Sequence, residues 1–164
     1  MGFRYYSLKM AFFQKGGKSM EDYFVGHKVH KIDSKGRISI PANMRAGLGQ
    51  EFIASRGFGK CLALFPLEEW NAFLQRIHDD VSQSDRKQLE FFFLANAEKL
   101  SLDGQGRLLM NENLRRQASL LDEEQAEVFG NNRRIEIWNC ALFAEQLNSI
   151  DEAKVESILD KYGI

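Results

Sequence analysis

Residues 32–45 of this 164-residue chain read Ile-Asp-Ser-Lys-Gly-Arg-Ile-Ser-Ile-Pro-Ala-Asn-Met-Arg, and a variant of the same string recurs seventy positions later. Residues 102–115 read Leu-Asp-Gly-Gln-Gly-Arg-Leu-Leu-Met-Asn-Glu-Asn-Leu-Arg. Asp33/Asp103, Gly36/Gly106, Arg37/Arg107, Asn43/Asn113 and Arg45/Arg115 are identical pairs, and the apolar positions 32, 38, 40 and 44 recur as apolar. After a three-residue insertion, Leu62-Ala63-Leu64-Phe65 matches Ile135-Glu136-Ile137-Trp138, and Trp70, Leu74 and Ile77 match Phe143, Leu147 and Ile150. The chain is a tandem duplication. Whatever it folds into must accommodate two copies of one supersecondary unit.

Each unit reads as strand, turn, strand, short helix, two strands and helix. Val25 to Ile32 and Arg37 to Ile40 are the first strands, with Asp33-Ser34-Lys35-Gly36 as the turn between them. Gly36 supplies the positive φ such a turn needs, and Asp33 accepts from nearby backbone N–H groups. Pro41 suits the first turn of a short helix through Ala46, stopped by Gly47-Leu48-Gly49. Phe52 to Ser55 and Cys61 to Phe65 are short strands around Gly57 and Gly59. Pro66 opens a helix whose Trp70, Phe73, Leu74, Ile77 and Val81 share one face. Ser84 to Ala95 predicts a helix turning Leu89, Phe92 and Phe93 inward, and the run Phe91-Phe92-Phe93 is expected in the core or between repeats. Ser149 and Glu152 form a capping box for the last helix. No Ser/Pro/Gly linker separates the repeats, and their strands are too short for either to bury an adequate core alone, so joint packing is expected.

The division that follows is a disordered N-terminal tail over residues 1–22, repeat 1 over 27–73, a helical connection over 74–100, repeat 2 over 101–145 and a C-terminal helix over 146–164. Residues 1–19 match nothing in the second half. A tail or an upstream start ahead of Met20 is one reading of them, and a basic, aromatic-bearing arm is the other.

Composition removes several function classes. Apolar residues make up 44% and charged residues 27%, which argues against disorder as a whole. No apolar run approaches the roughly 20 residues of a membrane span, and no secretory h-region is present, so a soluble cytoplasmic protein without a membrane partner is expected. Cys61 and Cys140 are isolated and His27, His30 and His78 lack ligand spacing, so no metal or other cofactor is expected. Gly57-Phe58-Gly59 and Gly104-Gln105-Gly106-Arg107 lack the rest of a nucleotide-binding signature, and no nucleophile elbow is visible. An enzyme is not expected. Residues 1–60 hold eleven Lys/Arg against four Asp/Glu, whereas the remainder holds eleven against nineteen. A basic front of this kind suits an anionic partner.

The chemistry sits in the two Asp-x-x-Gly-Arg turns. Arg37 and Arg107 carry planar guanidinium groups able to bond guanine or phosphate in bidentate fashion. Lys35 is a point charge suited to phosphate, while Ser34 and Gln105 make neutral contacts that fix register. Asp33, Gly36, Asp103 and Gly106 shape the turns. An internal Asp33–Arg37 or Asp103–Arg107 ion pair is the structural alternative, compatible with the Asp orienting the Arg toward DNA. Arg45 and Arg115 favour a solvated or structural role over a DNA contact.

The paired motifs, in matching contexts, resemble the MraZ family of bacterial transcriptional regulators, within the wider AbrB/SpoVT-like group. The resemblance runs from about Tyr23 to the end of the second repeat. It includes Gly26, Asp33 to Arg37, Ile40-Pro41, Leu64-Phe65-Pro66 through Trp70, Phe93-Leu94 with Asn96-Ala97, Asp103 to Arg107, and Ile135 to Trp138. The resemblance implies an α+β fold, a tandem-repeat double-split β-barrel with swapped hairpins and peripheral helices. It further implies a homo-oligomeric ring that binds double-stranded promoter DNA with short direct repeats. The implied role is a repressor of the division and cell-wall gene cluster, including its own promoter, associated with the nucleoid. The alternative from another class is a ring-forming protein-interaction scaffold with incidental DNA affinity. The second copy departs from the first in Gly104-Gln105 for Ser34-Lys35 and Asn111 for Pro41.

Overall fold

A computed structural model describes residues 23–164. The tail expected over residues 1–22 lies outside them. In chain order the elements are β1 (His27–Lys31), β2 (Arg37–Ser39), α1 (Ala42–Leu48), β3 (Glu51–Arg56), β4 (Leu62–Pro66), α2 (Leu67–Asp80) and α3 (Gln83–Leu94). There follow β5 (Glu98–Ser101), β6 (Arg107–Leu109), α4 (Glu112–Gln117), β7 (Gln125–Asn131), β8 (Arg134–Trp138), α5 (Cys140–Asn148) and α6 (Glu152–Tyr162). The architecture is mixed α and β, with a six-stranded sheet in the order β1-β7-β8-β4-β3-β5 and a separate two-stranded ribbon β2-β6. Among the described residues every strand pairing is antiparallel. Among the same residues the larger sheet is open, with β1 and β5 at its edges.

The two repeats exchange strands. β1 pairs with β7 and β5 with β3, so the first strand of each repeat lies on the third strand of the other. At the ribbon Ile38 faces Leu108, its own repeat mate, and at the sheet centre Ala63 faces Glu136, again its mate. Those two self-pairings mark a pseudo-twofold relation between the halves. The first and second strands of each repeat touch each other mainly through the turn, with one bridge, Ile32 to Ile38, in repeat 1.

Packing follows the same exchange. Ile38, Ile40, Leu48, Phe52, Leu62 and Leu64 from the first repeat join Leu108, Met110, Leu114, Leu120, Ile135 and Ile137 from the second in one buried cluster. At roughly 1.5–3 kcal/mol for each fully buried large apolar side chain, neither half retains its stabilisation when parted from the other. Joint packing is thus observed.

Four local expectations are corrected. α1 continues past Ala46 through Gly47 because Leu48 is buried, and that burial outweighs the ~1 kcal/mol cost of a helical glycine. Phe91 is exposed; within the Phe91-Phe92-Phe93 run only Phe93 is fully buried, while Phe92 lies edge-on to it at 4.8 Å with Arg56 over its face. The capping box at Ser149 and Glu152 does not form. Ser149 instead ends α5, its Oγ donating to the Gln146 carbonyl at 2.7 Å, and Asp151 caps α6 by accepting from the Ala153 N–H at 3.0 Å. Finally, α3 begins one residue early, at Gln83, because Ser82 caps it through the Asp85 N–H. Repeat-equivalent helix starts also use different chemistry: α1 follows Pro41, whereas Asn111 caps α4 by accepting from the Leu114 N–H at 2.9 Å.

Candidate nucleic-acid interface

Both Asp-x-x-Gly-Arg segments fold into the same turn. Asp33 Oδ1 accepts from the N–H groups of Lys35 and Arg37, each at 2.9 Å, and Oδ2 accepts from Arg37 Nε at 2.6 Å. Asp103 repeats the pattern with Gln105 N–H at 2.9 Å, Arg107 N–H at 3.0 Å and Arg107 Nε at 2.8 Å. Gly36 and Gly106 each donate back to the aspartate carbonyl at 2.9 Å, from φ values of 82° and 74°. One carboxylate therefore organises each turn and also grips the arginine that follows it. The internal Asp–Arg ion pair is present in both copies.

These bonds hold both carboxyls below the usual aspartate range. The N–H of Arg37 or Arg107 is the largest cause, supported by the arginine side chain and the second turn N–H. A lowered folded pKa leaves the turn intact above the unfolded value, about 3.9, and loosens it only as pH falls through the lower folded value. The amide resonances of Lys35, Arg37, Gln105 and Arg107 should therefore be constant between about pH 8 and pH 5, then move together on further acidification. A common midpoint at or above about pH 4.5 would show that the carboxylates do not organise the turns.

The ion pair does not exhaust the arginines. Only Nε is engaged; Nη1 and Nη2 of Arg37 and Arg107 make no hydrogen bond among the described residues, and the side chains are 30% and 28% exposed. Each guanidinium is thus fixed at one nitrogen and has two others for a ligand. Such anchoring lowers the rotamer entropy lost on binding.

The ribbon sets the arginines' spacing. Arg37 lies opposite Leu109, Ile38 opposite Leu108 and Ser39 opposite Arg107. Alternation puts Ile38 and Leu108 on the core face, both with no exposed surface, and Arg37, Ser39, Arg107 and Leu109 together on the other. The two arginines stand on a diagonal of roughly 7–8 Å between Cα atoms. A two-stranded ribbon is one of the shapes that a B-DNA major groove admits. Ser34, Lys35 and Gln105 are all exposed in the flanking turns. The structure brings the expected residues to one ribbon and its two ends.

Each turn is locked by the opposite repeat. The Met110 N–H donates to the Gly36 carbonyl at 2.9 Å, and the Ile40 N–H donates to the Gly106 carbonyl at 3.0 Å. The Arg115 side chain packs against Gly36, and the Arg45 guanidinium against Gly106. Arg45 Nε also donates to the Ile40 carbonyl at 2.8 Å. Arg45 and Arg115 are cross-braces beneath the turns, which explains their identity in both copies. Sequence reasoning missed this because it matched each residue to its mate rather than to the other repeat's turn. It also passed over Ser39 and Leu109, although their i, i+2 spacing from Arg37 and Arg107 already put them on the arginine face.

The family model for the MraZ protein matches this chain twice, over residues 23–92 and 93–161. The chain belongs to the MraZ family. A MraZ transcriptional regulator of Desulfitobacterium hafniense is 37% identical over 131 residues, covering 79% of this chain and 90% of its own. Its counterpart in Natranaerobius thermophilus is 36% identical over 141 residues, 84% of this chain and 97% of that one. The Symbiobacterium thermophilum MraZ transcriptional regulator is 37% identical over 140 residues, 85% and 99% respectively. The two MraZ matches cover between them both strand-exchanging repeats, with one Asp-x-x-Gly-Arg turn in each.

Proposed function

We propose that the chain is a non-catalytic, sequence-specific DNA-binding protein acting in transcription; the printed name of its relatives, transcriptional regulator, supports the regulatory role. The observation that carries this reading is the pair of aspartate-anchored arginines on one solvent face of a two-stranded ribbon. Arg37 and Arg107 read base edges, Lys35 neutralises phosphate, and Ser34 and Gln105 fix register. Asp33, Gly36, Asp103 and Gly106 hold the turns. The target is double-stranded promoter DNA with short direct repeats, and the role is repression of the division and cell-wall cluster and of its own promoter, in the cytoplasm at the nucleoid. The strand exchange supports a double-split barrel as the fold of this unit.

A promoter-fragment competition at fixed salt tests the function, since specific binding must exceed binding to scrambled DNA. Preference for the region upstream of its own gene is expected. Equal affinity for both DNAs would favour a protein-interaction scaffold. In the same assay Lys35→Ala should weaken all sequences similarly and reduce the salt slope by about one unit.

Assembly into a ring belongs to the same proposal. Val155, Ile158 and Leu159 of α6 are exposed at helical spacing, and Leu147 and Ile150 are exposed just before it. A neighbouring copy that covers this surface would repeat around a ring if the rotation closes. Light scattering should find a multimer; a stable monomer across micromolar concentrations would end the ring.

A further inference from the structure

Resting on the DNA-reading role above, we propose that Leu109 reads a thymine methyl group beside the base contacted by Arg37, while its repeat mate Ser39 does not, so that the ribbon reads a directional element. Failure of this inference is separable from failure of DNA binding itself.

Seventy residues relate Arg37 to Arg107, Ile38 to Leu108 and Ser39 to Leu109. The first pair is identical and the second is apolar in both copies. On the solvent face, the third pair alone changes from a hydroxyl to a branched alkyl group. Strand pairing then puts Leu109 directly across from Arg37, and Ser39 directly across from Arg107. Leu109 is 55% exposed, whereas Leu108 beside it in sequence is fully buried. Its alkyl group therefore contributes little to the core and is displayed across the ribbon from Arg37.

The major-groove edge supplies one apolar group, the thymine C5 methyl, and otherwise donors and acceptors. Directly opposite residues of an antiparallel pair stand about 4.5–5.5 Å apart at Cα, which spans one to two base-pair steps of ~3.4 Å. With Arg37 on a guanine, Leu109 meets a base within two pairs of it. A leucine there favours thymine and leaves cytosine's amino group unpartnered. Ser39 beside Arg107 accepts or donates and selects weakly. Lys35 against Gln105 reinforces the difference between the two ends. A pseudo-twofold ribbon with identical faces would read an inverted repeat. This one has two unlike halves, and unlike halves give a site with a direction.

The experiment uses the full chain and a duplex enriched from a random pool by the wild-type protein. Each thymine in turn is replaced by uracil, which deletes only the C5 methyl. At one position near a guanine, uracil should weaken wild-type binding about four-fold, the worth of one buried methyl-sized group. Leu109→Ser should lose that sensitivity, and Ser39→Leu should acquire it at the mirror position. Equal uracil sensitivity in wild type and Leu109→Ser overturns the inference while leaving DNA reading intact. If Leu109→Ser disassembles the oligomer without changing methyl dependence, Leu109 is an interface residue and the inference is equally overturned. Should wild type enrich no sequence at all, the DNA-reading role falls and takes this inference with it.

Discussion

Arg37→Ala is expected to lose about 1–3 kcal/mol of discrimination between operator and scrambled DNA while leaving the fold standing. The separation of the two effects follows from the turn. Asp33 keeps its bonds to the Lys35 and Arg37 N–H groups after the side chain is gone, so the backbone retains its organiser. The lost ion pair is about one-third exposed on each side, and pairs of that kind contribute at most ~1 kcal/mol to stability. In the proposed role Arg37 presents Nη1 and Nη2 together, a planar fork that lysine cannot reproduce, so Arg37→Lys should also fail to discriminate. Arg107→Ala should have the smaller effect on binding, because its turn holds Gln105 where the first holds Lys35 and is followed by Asp122-Glu123-Glu124. Paired binding curves and circular dichroism melts check both variants. If Arg37→Ala binds operator like wild type and Arg107→Ala abolishes binding with its melt unchanged, the second repeat is the reading head.

The duplication carried most of the fold in advance, since two short-stranded units with no linker have to share a core. The turns were legible for a similar reason: Asp and Gly at fixed offsets admit few backbone solutions, and both Gly36 and Gly106 have the required positive φ. Strand partners were not legible. The burial pattern of β2 says which face of Ile38 is inward, but nothing in Arg37-Ile38-Ser39 says that the neighbour is β6 rather than β1. Boundaries failed where two local signals competed. Gly47 signals a stop and Leu48 an apolar anchor, and burial decided. Ser149 and Asp151 are both good caps, and the carboxylate nearer the free N–H groups took the position. The guanidinium contacts of Arg45 and Arg115 were invisible because they depend on a close approach between segments about sixty to eighty residues apart.

The approach of the two repeats at the first turn also leaves no room for a methyl group on Gly36. Gly36→Ala asks an L-residue to adopt φ near 82°, which costs roughly 1–2 kcal/mol. Its Cβ would also lie 2.6 Å from the Met110 carbonyl oxygen. That oxygen belongs to backbone whose N–H bonds Gly36 itself, so it cannot retreat without opening the lock between turn 1 and repeat 2. The two costs together should reach about 2–4 kcal/mol, or a fall of roughly 5–15 °C in Tm for a chain of this size. At Gly106 the first obstacle is the Arg45 guanidinium, the end of a flexible side chain. Gly106→Ala should therefore cost nearer the conformational term alone, about 1–2 kcal/mol, while displacing the brace. Gly104 sits in the same turn with open space around its missing Cβ, so Gly104→Ala should stay within about 0.5 kcal/mol of wild type. The expected order of melting temperatures is Gly104→Ala highest, then Gly106→Ala, then Gly36→Ala. If Gly36→Ala melts with Gly104→Ala, the turn is not clamped by Met110 in solution, and the rigid presentation of Arg37 on which the proposed DNA reading rests is lost with that clamp.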